Sequence, residues 1–459
     1  MSDISFSFSP PVAEHNDLNT HWLQRSLQSV WHPCTQMQHH PQLPLVPIQR
    51  AEGTWLFDFN GNRILDAISS WWVNVLGHAH PHITAAIHKQ VDTLSHVMLA
   101  GFTHAPVIEL SERLADLAPV GLGHSFYASD GASAIEIALK MSLHTWHQQG
   151  FPQKKRFAYL AKSYHGETAG ALSVTDVPLF RQNYQDLLTH QHIQLPTPDP
   201  RLLDPEAKIL DPEGSLAAEA AALCLKKVEA ILEEQHIHLA AIIVEPLVQG
   251  ATGMLMYHSA FLKGLQTLCN YYDIHLIADE IMTGFGRTGT FFACEQAHLT
   301  PDFLCLSKGI TSGTLPLSVV MTTDRTFETF YRPEFHKGFL HSHSYTGNPI
   351  ACAAAGAVLD IFEQNNIVLK NQVLSQKITQ HAQSLLHYSS IRHLRQRGLI
   401  LAFDYHGASP SWSSNVFKTA LEHEVLLRPI GNTLYIMPPY CITDEELTVL
   451  FNAIHQCLS

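Results

Sequence analysis

The chain has 459 residues, 46% of them hydrophobic and 15% charged, with 28 Lys and Arg against 41 Asp and Glu for a formal net charge of −13. That length suits two or three domains, the composition argues against disorder, and the acidic balance disfavours nucleic acid, whose phosphates need clustered Lys and Arg. No apolar run approaches the roughly 18 residues of a membrane span, so no membrane partner is expected; the start, MSDISFSFSPPVAEHND, has no basic stretch followed by an apolar one, and a cytoplasmic location is expected.

The first 30 or so residues are polar with little periodicity and read as a loose arm or a short helix. Residues 41–50, PQLPLVPIQR, read as extended. GTWLFDFNGNRILDAI follows, two strand-like runs around Asn60-Gly61, a hairpin signal. The middle of the chain alternates between strand and helix. SFYAS (125–129) predicts a strand, and Ile135, Leu139 and Leu143 predict a helix from Ala132 to about His147. RFAYLAK (156–162) predicts another strand, 195–214 a loop and 215–235 a long helix. LAAIIVE (239–245) is an apolar strand, 260–272 a helix, and IHLIADE (274–280), FLCLS (303–307) and LSVVMTT (317–323) three further strands. Short apolar strands separated by helices predict an α/β fold with a mostly parallel sheet, covered on both faces by helices. Sites in such sheets form at the carboxyl ends of the strands. After about residue 345 the pattern shifts to helices and isolated strands, which predicts a second, smaller α+β unit.

The eight cysteines form no CxxC pair, so no disulfide framework is indicated. Among the 31 histidines, His78, His80 and His82 alternate, and His336, His341 and His343 lie close together. Their spacing matches no ligand pattern, and no metal is expected.

Two charged residues close apolar strands. Asp279, followed by Glu280, ends IHLIADE, and Lys308 follows FLCLS. A strand end alone explains an acid as a turn former or cap. A Lys at the end of a buried strand is uncommon without a task. The pair meets two demands of pyridoxal-phosphate (PLP) chemistry: an amine that forms a Schiff base and moves protons, and a carboxylate that keeps the pyridine nitrogen protonated. Between them lies the Gly-rich Ile281-Met282-Thr283-Gly284-Phe285-Gly286-Arg287-Thr288-Gly289. Earlier, Ser129-Asp130-Gly131-Ala132-Ser133 joins a strand to a helix, where free N–H groups and the helix dipole favour a dianion.

IIVEP (242–246), LIADEIMTGFGRTG (276–289) and LCLSKGITSGTLPLS (304–318) together resemble the class III, or omega, aminotransferases of PLP fold type I. The resemblance covers nearly the whole chain from about residue 31. It implies a large PLP-binding domain over 81–345, with 1–80 as an arm and part of a small domain and 346–459 as the rest of that domain. It implies that Lys308 holds the cofactor, Asp279 meets its ring nitrogen, Gly131 and Ala132 hold its phosphate, and Tyr164, in Tyr164-His165-Gly166, stacks on its ring. Trp31-His32-Pro33, Ser69-Ser70-Trp71-Trp72, Thr103-His104-Ala105-Pro106, Arg428-Pro429 and Tyr435-Ile436-Met437-Pro438-Pro439-Tyr440 are similar to the branch that aminates 8-amino-7-oxononanoate to 7,8-diaminononanoate in biotin biosynthesis. That similarity implies substrate contacts at Trp71, Trp72, Tyr164, Lys308, Tyr435 and Cys34, and a carboxylate clamp at Arg428. The His341-Ser342-His343-Ser344-Tyr345-Thr346-Gly347-Asn348-Pro349 segment matches a loop that reaches the neighbouring subunit. It implies a homodimer with a shared site, His343 and Ser344 on the partner's cofactor phosphate and Ser342 at the substrate.

Three positions depart from the pattern. Met282 stands where ornithine- and GABA-type relatives have a Gln on the ring hydroxyl. Cys34 and Leu255 stand where S-adenosylmethionine users have an adenine-stacking Tyr and a donor-recognising Arg. A lysine-using branch also lacks those two side chains. S-adenosylmethionine is the expected donor, with lysine the alternative. Another class III enzyme acting on an amino acid or polyamine, and a catalytically silent PLP-binding protein, are the other readings.

Overall fold

The computed structural model describes residues 17–41, 43 and 45–459. The arm expected over the first 16 residues, and Gln42 and Pro44 of the Pro-rich stretch, lie outside the described residues. The described chain begins with a helix, Leu18–Ser29.

Strands β1 (Ile48–Glu52), β2 (Trp55–Asp58) and β3 (Arg63–Asp66) form an antiparallel meander. The β2–β3 turn holds the Asn60-Gly61 pair read from the sequence. Gly61 adopts φ 89°, where a Cβ is disfavoured, and Asp58 accepts the N–H of Asn60 at 2.9 Å and of Asn62 at 2.8 Å.

The middle of the chain supplies β4 (His124–Ala128), β5 (Arg156–Leu160), β6 (Ile193–Leu195), β7 (Leu239–Val244), the short pair β8 (Val248–Gln249) and β9 (Leu255–Met256), β10 (His275–Asp279), β11 (Phe303–Leu306) and β12 (Ser318–Thr322). Seven of these form one sheet in the order β4-β12-β11-β10-β7-β5-β6. Every residue of β7, β10, β11 and β12 is buried. Successive side chains go to opposite faces. Ile242, Val244, Leu276, Ala278 and Leu304 pack with Phe261, Leu262 and Leu265 of the Ser259–Tyr271 helix. Ala241, Ile243, Ile277, Phe303 and Cys305 pack with Ile135, Ala138 and Leu139 of the Gly131–Gln148 helix. Coverage on both faces explains why these strands read as continuous apolar runs rather than alternating ones.

The sheet is mostly parallel, as expected from the sequence, with one reversed strand. β12 runs antiparallel to both β11 and β4. Only Ser307 to Leu317 connects β11 to β12, and a parallel return needs a crossover of a dozen or more residues, usually a helix. β4 regains the common direction, so β4, β5, β7, β10 and β11 all end at one edge.

The C-terminal part adds β13 (Ile391–Arg397), β14 (Ile400–Tyr405), β15 (Val425–Leu426) and β16 (Thr433–Ile436). β13, β14 and β16 form an antiparallel sheet, while β15 pairs in parallel with β3. Leu65 and Ala67 therefore share a core with Leu401, Phe403, Leu434 and Phe451. Among the described residues, no helix is long and apolar enough to cross a membrane.

A buried ion network ties this C-terminal sheet to the central one. Asp404 on β14 accepts from His393 at 2.9 Å, Arg395 at 2.9 Å and Thr433 at 2.8 Å. Arg395 also donates to the carbonyls of Gly253 at 2.6 Å and Met254 at 2.9 Å. Arg201 bridges Asp404 at 3.3 Å and Asp199 at 2.8 Å, and Lys162 reaches Asp199 at 2.9 Å. Removing one member leaves a buried charge without its partner. Asp404→Ala is expected to lower stability by about 3–5 kcal/mol in denaturant melts; a loss below about 0.5 kcal/mol would contradict the network's role. Burial alone would raise the Asp199 carboxyl, but the bonds and charges of Arg201 and Lys162 hold it at about 2. Its carboxylate thus stabilises the fold above the unfolded pKa of about 3.9, and that contribution fades as pH falls from there through the folded value.

Candidate active site

The loops that leave the common carboxyl edge surround a cavity of about 400 Å³. Asp279 is the last residue of β10. Its Oδ1 accepts the Ile281 N–H at 3.1 Å, and its Oδ2 meets Nδ1 of the buried His165 at 2.7 Å. Lys308 lies two residues beyond β11, whose Cys305 pairs with Asp279 across the ladder. Lys308 sits at φ 46°, in the left-handed region that costs a non-glycine residue on the order of 1–2 kcal/mol. Among the described residues its amine has no hydrogen bond; Nζ lies 5.1 Å from the Trp72 ring centroid. Burial pushes the amine's pKa down, while Asp279 and Glu245 oppose that. A lowered pKa supplies more of the neutral, nucleophilic amine.

Opposite these groups the Gly131–Gln148 helix begins at the cavity wall. Asp130 caps it, accepting the Ser133 N–H at 2.9 Å. No residue of the first turn is acidic, and the N–H groups of Gly131 and Ala132 point out of the helix start without an internal partner. A Cβ on Gly131 would fall 2.9 Å from Ile281, which lines the same cavity, so glycine keeps this cradle open.

Tyr164 forms a further wall. Its N–H donates to Glu245 Oε1 at 2.9 Å and its hydroxyl to Glu167 at 3.0 Å. Glu245, just past β7, also accepts the Gly250 N–H at 3.0 Å. It is buried beside Asp279; burial pushes its pKa up to about 7, with His165 pulling the other way.

Trp72 closes the cavity through an unusual backbone. Ser69, Ser70 and Trp72 have φ of 53°, 57° and 65°. Buried Asp66 holds this strained run, accepting the Ser70 N–H at 2.8 Å and its hydroxyl at 3.1 Å. The kink turns Trp72 inward, where its indole N–H donates to the Tyr435 hydroxyl at 2.9 Å, and leaves Trp71 exposed. Burial pushes the Tyr435 phenol up to about 12.

The structure thus gathers Lys308, Asp279, Tyr164, Gly131, Ala132 and Trp72 around one cavity, with Tyr435 behind Trp72. Arg428 and Cys34 line a neighbouring cavity of about 510 Å³. The Arg428 guanidinium stands 5.0 Å over the Trp71 ring and donates to the Cys34 carbonyl at 3.3 Å. Ser342, His343 and Ser344 line neither cavity. His343 Nε2 pairs with Ser129 Oγ at 3.0 Å, and the two serines are exposed. Leu255 is fully buried in the core. His165 and Glu245 were not singled out from the sequence. Glu245 carries the same signal as Asp279, an acid closing an apolar strand; His165 meets Asp279 only through the fold.

The residues fit a phosphorylated aromatic aldehyde. A helix start supplies unspent N–H donors, an amine without a partner stands across the cavity, and a pinned carboxylate lies between them. Among the described residues the buried His165 Nε2 beside that carboxylate also lacks a partner. Comparison with known proteins agrees. A family model described as aminotransferase class-III matches residues 36–458. The adenosylmethionine-8-amino-7-oxononanoate aminotransferase of Helicobacter pylori is 45% identical over 428 residues, 92% of this chain and 94% of that protein. The crystal structure of the Methanocaldococcus jannaschii protein of the same name superposes with TM-score 0.88 at 32% identity, covering 96% of this chain and 98% of that one. A PLP-bound amine transaminase from an uncultivated Pseudomonas species gives TM-score 0.86 at 30% identity, covering 94% and 98%.

A Cβ on Gly250 would lie 2.6 Å from the Met282 sulfur and 3.2 Å from Trp72. Gly250→Ala is therefore expected to lose about 1–3 kcal/mol by overpacking. Adding Met282→Ala should restore much of that loss in thermal melts, and additive losses would contradict this packing.

Proposed function

This chain belongs to the class-III aminotransferase family and is a PLP-dependent transaminase, and from that premise we propose that it aminates 8-amino-7-oxononanoate to 7,8-diaminononanoate. The observation that carries this reading is the approach to the cavity: Trp72 at its wall, Trp71 outside it, and the Arg428 guanidinium 5.0 Å over Trp71. A keto substrate with an apolar chain and a terminal carboxylate suits an aromatic wall ending in a planar fork donor. The relatives named above support the same substrate.

When bound, PLP supplies an electron sink for the carbon that loses its proton. In this reading Lys308 Nζ would hold the cofactor between turnovers and, once displaced by the donor amine, would move a proton from the donor carbon to the cofactor, and in the second half-reaction from the cofactor to the carbon of the keto substrate. Asp279 would meet the ring nitrogen, Tyr164 would cover the ring, and the N–H groups of Gly131 and Ala132 would hold the phosphate. Arg428 clamps the carboxylate of the keto substrate, with Trp71 and Trp72 along its chain. Two half-reactions through one cavity follow.

S-adenosylmethionine is the proposed donor. Both it and lysine would bring a cation, and the exposed Glu167 carboxylate, bonded by the Tyr164 hydroxyl, stands at the cavity rim for either. Lysine remains the second reading, because Cys34 offers no aromatic face and Leu255 lies in the core. A homodimer is also proposed. Ser342 and Ser344 face outward rather than into their own cavity, and Met98, Phe102 and Tyr345 are exposed apolar side chains on the neighbouring loops.

Mixing the PLP form with S-adenosylmethionine, and separately with lysine, should bleach the cofactor's visible band with the first alone; bleaching by lysine alone would reassign the donor. Lys308→Ala should abolish turnover, and normal turnover would overturn the site. Arg428→Ala should lower kcat/KM for the keto substrate about ten- to hundredfold, the loss of a charged hydrogen bond.

A further inference from the structure

Of the alternating His78, His80 and His82, the first turns toward the back of the cavity wall: its Nε2 lies 2.9 Å from Oδ2 of Asp66. A carboxylate offers only lone pairs, so Nε2 is the donor. The backbone of His78 is pinned, because its N–H donates to the Gly53 carbonyl at 2.7 Å and its carbonyl accepts the Gly53 N–H at 3.1 Å. Asp66, the last residue of β3, is fully buried. Its Oδ1 accepts the N–H groups of Ser70 at 2.8 Å and Ile68 at 3.4 Å, and its Oδ2 accepts the Ser70 hydroxyl at 3.1 Å beside His78. Among these donors only His78 comes from outside the 68–72 segment. That segment holds Ser69, Ser70 and Trp72 at positive φ, a conformation that persists only where the surroundings over-determine it.

We propose that His78 is a positioning residue for the keto substrate: through Asp66 it fixes the strained turn that presents Trp71 and Trp72, and so sets substrate affinity without touching the cofactor. The inference rests on the reading that the substrate chain runs along those two indoles. Without the His78 donor, Oδ2 keeps one bond, to a hydroxyl of the very residue that Asp66 must hold. A buried carboxylate short of a donor is costly; it turns or draws in water, and either loosens its grip on Ser70. The groups expected to hold the cofactor stand elsewhere. Asp279 ends β10, Lys308 follows β11, and Gly131 and Ala132 open a helix. Among the described residues none of them bonds to His78 or Asp66.

The test compares wild-type holoenzyme with His78→Gln, whose amide nitrogen reaches the place of Nε2, and His78→Asn, whose amide stops short of it. With the donor saturating, His78→Asn should raise KM for 8-amino-7-oxononanoate about ten- to hundredfold, the range for losing a hydrogen bond to a charged group, while kcat and PLP affinity stay within about threefold. His78→Gln should stay within about threefold of the wild type in all of these. The proteins are also labelled with 5-fluorotryptophan, and the signals of Trp71 and Trp72 among the seven tryptophans are assigned with Trp71→Phe and Trp72→Phe. Both signals should move in the Asn variant and return in the Gln variant. An unchanged KM in the Asn variant, a PLP affinity that falls as far as KM rises, a Gln variant no better than Asn, or fluorine signals that stay in place overturns the proposal. If the Asn variant fails to fold, as judged by its melt, Ser70→Ala takes its place: it removes the other bond to Oδ2 and should raise KM at least about threefold, and an unchanged KM there overturns the proposal. If the wild type does not turn over 8-amino-7-oxononanoate, the substrate reading fails, and the fluorine signals still decide whether His78 fixes the turn.

Discussion

Lys308 brings an amine to the edge of a sheet whose central strands are wholly buried and apolar, and burial works against its charge. Two carboxyl groups on adjacent strand ends, Asp279 and Glu245, oppose that effect. All three can face one cavity only because β7, β10 and β11 run in the same direction and end at the same edge. The packing on both faces of the sheet fixes the height of those strand ends, so the separation of amine and acids is set by the core rather than by the loops. The loops then add what the sheet lacks: N–H donors at the helix start, the Tyr164 ring and the Trp72 wall.

The strain near the cavity follows from the same demand. Lys308 and the Ser69–Trp72 run hold left-handed backbone that L residues avoid. Each is bound into rigid surroundings, the first by β11 and the turn after it, the second by Asp66 and by the Ser69 hydroxyl donating to the Met437 carbonyl at 2.7 Å. The β16 strand that supplies Tyr435 also leads to Met437, so the C-terminal sheet supports the wall of a cavity that opens in the central sheet. The Asp404 network performs the same service for the 250–254 turn, through Arg395.

Much of this was legible before the fold was known. Strand positions in the middle of the chain followed from their apolar runs, because β7, β10, β11 and β12 are short and wholly buried. Asp279 and Lys308 stood out as charges closing apolar runs. Glu245, followed by Pro246, bore that mark equally. The reversal of β12 was not legible, since an apolar run carries no direction; only the short link after Leu306 hinted at it. His165 was hidden in plain sight beside Tyr164, because its contact with Asp279 is made by the sheet and not by spacing. The left-handed run at Ser69–Trp72 left no trace either, as none of those residues is a glycine.

Lys308 is the residue proposed to hold the cofactor. Borohydride reduces a carbon–nitrogen double bond and so fixes PLP to whichever amine carries it. Treating the PLP-loaded protein with borohydride, digesting it and mapping the added mass by tandem mass spectrometry reads out that residue directly. The label is expected on Lys308 alone. A label on any other lysine, or a loaded protein that takes no label, would contradict it.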